Sequence, residues 1–287
     1  MKYAFISDRT DYPVARWAAF LEVSTSGYYD WLSTRDTRLE RERAYAALVE
    51  AIFLESEGTY GADRVSGKMR LDGHSASFRK VKRIMQERGL NSIHLRCQRS
   101  LTDSRKARGD GYPNLLRDMT IEAPFQAITS DISYIPTDEG FEYLCTIKDI
   151  KSKVILAMSQ SDNMSRALVV NAINAARKRW RLPPGTVFHS DRGSQYTSEE
   201  VMTLVASLGW RQSFSRVGRP GDNAWHESFY SILKKEAVHH THFHNREQAR
   251  QAMFDFIERF YNRKRIQKSL GYLSPIDALI RCSQMAA

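Results

Sequence analysis

From Phe125 onward the chain changes texture in a way that permits few folds. Three successive runs, AITSDISYIP, GFEYLCTIKDI and KVILAMSQS, are rich in β-branched and aromatic residues, with turns at Asp138–Gly140 and Ile150–Ser152. They predict three consecutive strands. A helical pattern follows over 166–180, then a short strand TVFHS, a helix SEEVMTLVASLG and another short strand WRQSF. DNAWHESFYSILKKE is amphipathic at helical spacing, and NREQARQAMFDFIERFYN opens with Asn245 and Gln248 in a capping-box-like arrangement. Three strands in a row, then alternating helix and strand, imply an α/β fold: one mixed sheet with helices on its faces.

Three acidic residues sit where this pattern can bring them together. Asp131 lies in the first strand, Asp191 follows the TVFHS strand, and Glu227 stands in the amphipathic helix. A single acidic residue is as a rule a solvated surface group, but two strand carboxylates and one helix carboxylate can converge on hard divalent cations, because Mg²⁺ takes oxygen ligands. Two such ions about 4 Å apart can clamp both oxygens of an in-line phosphoryl displacement. The expected chemistry is the cutting and rejoining of DNA.

The half before Phe125 is helical and carries the charge. YPVARWAAFLEVSTSGYYDWL predicts two short helices meeting around Val23 and Ser24, with Ser24 or Thr25 as a cap. The pattern is helix-turn-helix-like, and non-binding helical hairpins share it, so both readings stand. RERAYAALVEAIFLES predicts a longer helix with Ala44, Leu48, Ala51 and Ile52 on its apolar face. A second helix-turn-helix candidate follows, with Val65, Met69, Val81, Ile84 and Met85 as its core and Gly89 as its stop. Arg79, Lys80, Lys82 and Arg83 crowd the start of its second helix, where a recognition helix would meet a major groove. Residues 64–108 hold thirteen Lys or Arg against three acids, a net +10 that equals the whole chain's balance. A basic helix alone is usually a solvated surface, but this block adjoins a phosphoryl-transfer constellation and points to nucleic acid. Its last part, RCQRSLTDSRKARGDGYPN, reads as a basic linker that orders on DNA.

Composition excludes other classes. No apolar run approaches the ~18 residues of a membrane span, and the first residues hold no signal-peptide core. The cytosol follows as the default location, and no membrane partner is expected. Cys97, Cys145 and Cys282 are far apart and indicate neither a disulfide framework nor a cysteine zinc site. His239, His240, His242 and His244 invite a zinc reading, but they lack a helical HxxxH spacing or nearby cysteines, and that reading is set aside.

The flanks of the three acids carry a resemblance. SDISYI around Asp131, FHSDRGSQYTS around Asp191, DNAWHESFYSILKKE around Glu227, the tail YNRKRIQKSLGYLSP, and GTYGADR with KRIMQERGL upstream are similar to the IS3 family of insertion-sequence transposases, in its catalytic second reading frame. The likeness covers nearly the whole chain. It implies an RNase H-like, integrase-like core and a DDE triad of Asp131, Asp191 and Glu227 that binds two Mg²⁺, with Mn²⁺ as a substitute. The implied partners are DNA, as terminal repeats and target, further copies of the chain on that DNA, and an upstream-frame helix-turn-helix protein or a frameshift fusion with it. Two departures stand out: Gln267 replaces a tail histidine, and Ile128 a tryptophan before the first Asp.

The expected division is 1–44, a helix-turn-helix-like segment; 45–110, a basic helical DNA-binding unit with its linker; 111–124, a linker; 125–240, the catalytic core; and 241–287, a helical extension. Lys234 lies two helical turns from Glu227 on the same face, as a phosphate contact or as a solvated helix end. Asp222 and Asn223 read as helix caps, with substrate positioning as the second option for Asn223. Around Asp191, Arg192 is a candidate phosphate contact, while His189, Ser194 and Gln195 support the turn or a metal-bound water. Arg265 in the tail is expected on DNA. Asp149 is expected to face solvent or brace a turn. A non-catalytic DNA-binding regulator and an RNase H-like endonuclease that cleaves without joining are the rival readings.

Overall fold

The computed structural model describes residues 2–93, 113–216 and 220–285. Among these, six helices come first: α1 (Lys2–Ser7), α2 (Val14–Phe20), α3 (Thr25–Ser33), α4 (Arg35–Glu55), α5 (Ala62–Leu71) and α6 (Phe78–Glu87). Ser24 caps α3 by accepting from the Gly27 amide at 3.2 Å, and Ser77 caps α6 through the Lys80 amide at 3.3 Å. Gly89, at φ 66°, ends α6. Val49, Ile52, Phe53, Val65, Met69, Val81, Ile84 and Met85 form the core of α4–α6. The apolar face expected for α4 is corrected. Ala44 and Ala51 are exposed, whereas Ala46, Val49 and Phe53 are buried. Val49 and Phe53 remove more apolar area from water than alanines do, so the helix turns them inward. Residues 96–112 of the expected basic linker lie outside the described residues.

The second half runs β1 (Ala127–Thr137), β2 (Gly140–Asp149), β3 (Ile155–Ser161), α7 (Arg166–Arg179), β4 (Val187–Ser190), α8 (Glu199–Ser207), β5 (Arg211–Phe214), α9 (Ala224–Leu233), α10 (Arg246–Phe254) and α11 (Pro275–Met285). Beyond α9 and α10 the chain continues in π-helical turns, Lys234–Val238 and Asp255–Tyr261. The five strands form one sheet in the order β3-β2-β1-β4-β5. The first three pair antiparallel through tight turns, while β4 joins β1, and β5 joins β4, in parallel. Parallel neighbours need crossovers, which α7 and α8 supply. This is the mixed sheet that the strand and helix order predicts.

Both faces of the sheet are covered. Ile128, Ile147, Leu156 and Phe188 pack against Leu168 and Ile173 of α7 and Val201 and Val205 of α8. On the other face Ile135, Leu144 and Ile155 meet Phe229 and Leu233 of α9, together with Met253, Phe256 and Ile257. The α4–α6 unit docks onto the tail. Tyr60 Oη accepts from the Ile266 amide and donates to the Lys264 carbonyl, both at 2.9 Å. A Cβ at Gly67 would lie 2.2 Å from the Tyr272 ring, so glycine is what lets α5 approach that ring. Among the described residues no helix is long and apolar enough to cross a membrane.

Candidate active site

Strand register sets the first two carboxylates. β1 and β4 pair with Ala127 opposite Val187, Ile128 opposite Phe188 and Thr129 opposite His189. Both strands run the same way, so two residues further on Asp131 and Asp191 emerge beside each other at the end of β4. Side-chain alternation puts Asp131 on the face of Thr129 and Ile135, which α9 covers. Asp131 Oδ1 accepts from the Ile132 amide at 2.8 Å, and Asp191 Oδ1 from the Gly193 amide at 2.9 Å. A Cβ on Gly193 would come within 3.0 Å of that Asp191 oxygen, which explains a glycine at this turn.

Glu227 reaches the site because the helix around it is fastened to the sheet. Asn223, His226 and Tyr230 recur at helical spacing and face β1 and β2. Asn223 Nδ2 donates to the Ser130 carbonyl at 3.4 Å. The His226 ring bridges two strands, with Nδ1 2.7 Å from Thr129 Oγ1 and Nε2 2.7 Å from Thr146 Oγ1. Thr146 Oγ1 donates to Tyr230 Oη at 3.1 Å, and Tyr230 Oη lies 2.7 Å from the Asp131 carbonyl and 2.9 Å from that of Leu144. Burial, then the charges of Lys148 and His189, hold His226 well below the usual histidine range, so the ring is neutral. The hydrogen-bond pattern then assigns its tautomer: Thr129 donates to Nδ1 and Nε2–H donates to Thr146. Lys148 Nζ donates to the Trp225 carbonyl at 2.6 Å. Ahead of the helix, Arg216 grips Asp222 with two nitrogens at 2.9 and 3.0 Å, and Asn114 donates to the same carboxylate.

The electrostatics are those of carboxylates taken out of water. Burial raises the Asp131 carboxyl to about 7, Asp191 and Glu227 add to the rise, and the Ile132 amide and Lys234 oppose it. Asp191 opens to solvent on one side, yet the desolvating walls of the recess raise its carboxyl too, against the Gly193 amide. Glu227, on the exposed first turn of α9, is raised by desolvation. The three do not all close to within 4.8 Å of one another. Lys234 Nζ lies 5.1 Å over the Tyr134 ring, and burial lowers its pKa while Asp131 raises it.

Residues 121–220 match the Integrase core domain family, residues 227–277 a second family of that description, and residues 40–97 the HTH-like domain family. The chain is 33% identical over 283 residues to the transposase InsF for insertion sequence IS3A of Escherichia coli (strain K12), covering 96% of this chain and 97% of that protein. It is 35% identical over 241 residues to the transposase for insertion sequence element IS904 of Lactococcus lactis subsp. lactis (strain IL1403), covering 84% of this chain and 94% of that one. The chain belongs to the IS3 family of insertion-sequence transposases. Its sheet order and integrase core make the fold RNase H-like. A chain of the simian T-cell lymphotropic virus intasome, solved in complex with PP2A regulatory subunit B56 gamma, aligns at TM-score 0.47 and 15% identity, over 75% of this chain and 70% of that one.

The other candidate residues of this transposase take varied places. Arg192 Nε donates to the Ser215 carbonyl at 2.7 Å, Gln195 Nε2 donates to the Met164 carbonyl at 3.1 Å, and Ser194 is exposed. His189 is buried between Ser213 and Ser215, its ring nitrogens 2.8 and 3.1 Å from their hydroxyls, and burial pushes it down to about 4. Arg79, Lys80, Lys82 and Arg83 are exposed on α6; Arg83 pairs with Glu42 and Glu87, and Lys80 lies over the Tyr45 ring. Asp149 is buried and braces a turn, accepting from the Phe125 and Ser152 amides at 2.7 Å.

Two expectations are corrected. Asn223 makes no side-chain cap to α9; it turns to the sheet, and among the described residues its buried Oδ1 has no partner. Arg265 is not available to DNA. It is 2% exposed and holds Glu236 with two nitrogens at 2.7 Å, in a buried junction that Arg64 approaches at 3.7 Å. Gln267 is packed as well, its backbone bridged to Leu273. Beside this junction runs a groove of about 560 Å³ lined by Arg64, Lys153, Lys235 and Lys268 with the hydroxyls of Ser228 and Ser231. His226, Tyr230, Thr129, Thr146 and Lys148 are the supporting residues that sequence reasoning missed. The helical spacing of Asn223, His226 and Tyr230 was the available signal.

Proposed function

We propose that this transposase cleaves and rejoins DNA phosphodiesters at the ends of its insertion sequence. Asp131, Asp191 and Glu227 are the catalytic carboxylates, with two Mg²⁺, or Mn²⁺, as cofactor. One observation carries the reading: parallel strand register brings two desolvated carboxylates together, a fastened helix adds a third, and burial, then the neighbouring Asp191, raises the Asp131 carboxyl to about 7. The residues fit divalent cations. The donor set is all oxygen, and Asp131 and Asp191 each give Oδ1 to a backbone amide, which leaves Oδ2 for a ligand. Cations bound there would polarise the phosphoryl group and stabilise the attacking and leaving oxygens.

The chain's own groups do the rest. Asp131 must shed its proton to hold a cation, so low pH opposes loading. Lys234, on the Asp131 side of the site, holds the scissile phosphate, and Arg192 gives a second contact at the rim. The buried His226 bridge keeps the Glu227 helix at a fixed distance from β1, and a preset geometry needs no reorganisation as charge builds in the transition state. The lysine-lined groove carries the flanking DNA backbone away from the site, and the exposed cations of α6 contact the terminal repeat. Such contacts supply salt-dependent affinity. Two or more copies act on paired ends, with an upstream-frame helix-turn-helix protein or fusion as a further partner.

The test is strand cleavage and joining on labelled DNA carrying the element's ends, in Mg²⁺, for the wild type and Asp191→Asn. Joined product that vanishes in the variant supports the proposal. Cleavage without joining favours an endonuclease. Binding without chemistry favours a regulator that occupies the ends.

A further inference from the structure

Beyond Thr137 at the end of β1, the β1–β2 turn meets the strap that leads from the π-helical turn after α9 to α10. Three ligand groups converge there. His242 Nε2 lies 3.1 Å from Asp138 Oδ1 and 3.2 Å from Oδ2, and His244 Nδ1 lies 3.1 Å from Oδ2. Among the described residues this is the one group of three or more such side chains whose ligand atoms all lie within 4.8 Å of one another. The sequence pattern explains how. In the strap His242 and His244 are exposed while Phe243 between them is buried at 4%, so the two imidazoles share the outer side and the phenyl ring anchors the segment.

Backbone contacts fix both loops. The Asp138 amide donates to the Phe243 carbonyl at 3.1 Å, the Arg246 amide to Glu139 Oε2 at 3.0 Å, and the His244 amide to Gln248 Oε1 at 2.9 Å. The two rings cross at 75° with centroids 4.8 Å apart, which aims both nitrogens at one carboxylate. Ligand bonds of about 2.0–2.1 Å in a tetrahedron give edges of about 3.3 Å, close to the spacing seen. Two histidine–aspartate hydrogen bonds would have the same length. Each neutral imidazole can also donate its one N–H to the carboxylate, so metal uptake is what separates the two arrangements.

We propose that Asp138, His242 and His244 form a Zn²⁺ site, distinct from the three catalytic carboxylates, that clasps the β1–β2 turn to the strap following the Glu227 helix. Two imidazoles and one carboxylate suit a borderline-soft ion and not Mg²⁺, which takes oxygen. Three protein ligands leave a fourth position for water or a further group. The clasp tethers the far end of the strap, and with it the segment between α9 and α10.

The test is Zn²⁺ titration of the full chain by calorimetry with Mg²⁺ in excess, on wild type, His244→Ala, Asp138→Asn and Asp131→Asn. The histidines are 70% and 71% exposed, so their replacement should leave the fold intact. The proposal expects one Zn²⁺ equivalent in wild type and in Asp131→Asn. His244→Ala should lose affinity by more than the roughly 10–100-fold that loss of an outer-shell partner costs. Zn²⁺ should also slow proteolysis at the strap, and Co²⁺ in its place should give the visible absorption of a tetrahedral site. Absence of an equivalent beyond that of the His242→Ala/His244→Ala double variant would overturn it. So would binding that survives His244→Ala and disappears in Asp131→Asn.

Discussion

Replacing Asp131 by Asn should make the metal-free protein more stable in neutral and alkaline solution, at the expense of its chemistry. The Asp131 carboxyl is raised from 3.8 to about 7, first by burial and then by Asp191, with Glu227 adding to it. Its folded value therefore lies above its unfolded value. Below about pH 4 both states hold the proton and the site costs nothing. Between about pH 4 and about pH 7 the unfolded chain ionises while the folded one resists, so stability falls as pH rises. Above about pH 7 both are ionised and the full penalty stands. A gap of about three pH units at about 1.4 kcal/mol each sets a ceiling of about 4 kcal/mol. Asparagine keeps an Oδ1 for the Ile132 amide and removes the charge. Buried His189 and His226 act in the opposite sense: their folded values lie below the unfolded one, so their contribution is lost as pH falls below about 6.5. Both proteins share those histidines, and the difference between them cancels that contribution. Urea unfolding in EDTA, from about pH 4 to about pH 8, should give curves that coincide at the acid end and separate in favour of the variant as pH rises. Mg²⁺ should then narrow the gap by stabilising the wild type. A variant that is less stable throughout, or a difference that does not change with pH, would refute the claim that Asp131 is held against its own charge.

Three further outcomes follow from the packing. His226→Ala leaves the Thr129 hydroxyl without its partner, while Thr146 keeps its bond to Tyr230, and should cost about 1–3 kcal/mol in urea unfolding, with strand cleavage reduced well beyond any loss of DNA binding. Glu236→Gln leaves Arg265 buried without its carboxylate and should destabilise by about 3–5 kcal/mol; a loss under about 1 kcal/mol would show that water reaches the junction. Gly67→Ala should push Tyr272 away from α5 and speed hydrogen exchange in the tail, and Tyr272→Ala should remove most of that effect, so that the two changes are strongly non-additive.

The sequence displayed the parts whose meaning is local. Strand alternation, the Ser24 cap and the motif around each carboxylate can be read within a few residues, and a mixed sheet with helices on its faces follows from the order of elements. It did not display pairings that span the chain. His226 has its partners 97 and 80 residues away on two strands, and nothing near His226 announces Thr129 or Thr146. Asp138 meets His242 and His244 across more than a hundred residues, so a histidine run judged alone lacks the carboxylate that completes it. The apolar face of α4 was misread because alanines at helical spacing compete with Val49 and Phe53, and burial goes to the larger side chains.

Arg265 marks the limit of motif reading for charged residues. An arginine can meet a phosphate or a carboxylate with the same planar fork, and the tail motif is compatible with either. The choice falls to Glu236, which lies in the π-helical turn beyond α9, two residues after Lys234. Since Arg64 of α5 approaches the same carboxylate, this buried cluster joins the helical unit, the extension of the Glu227 helix and the tail. Two guanidiniums on one carboxylate leave a positive excess; Asp63 offsets Lys268 at 3.5 Å, and Lys153 and Lys235 extend the excess along the neighbouring groove. The arginine expected to touch DNA thus acts one layer below the surface: it holds Glu236, and with it the arrangement that keeps the groove cationic. Its loss should therefore weaken DNA binding by loosening the groove, not by subtracting one phosphate contact. The two cases differ in the salt dependence of binding, because a lost phosphate contact lowers the slope by about one and a loosened groove lowers it by more.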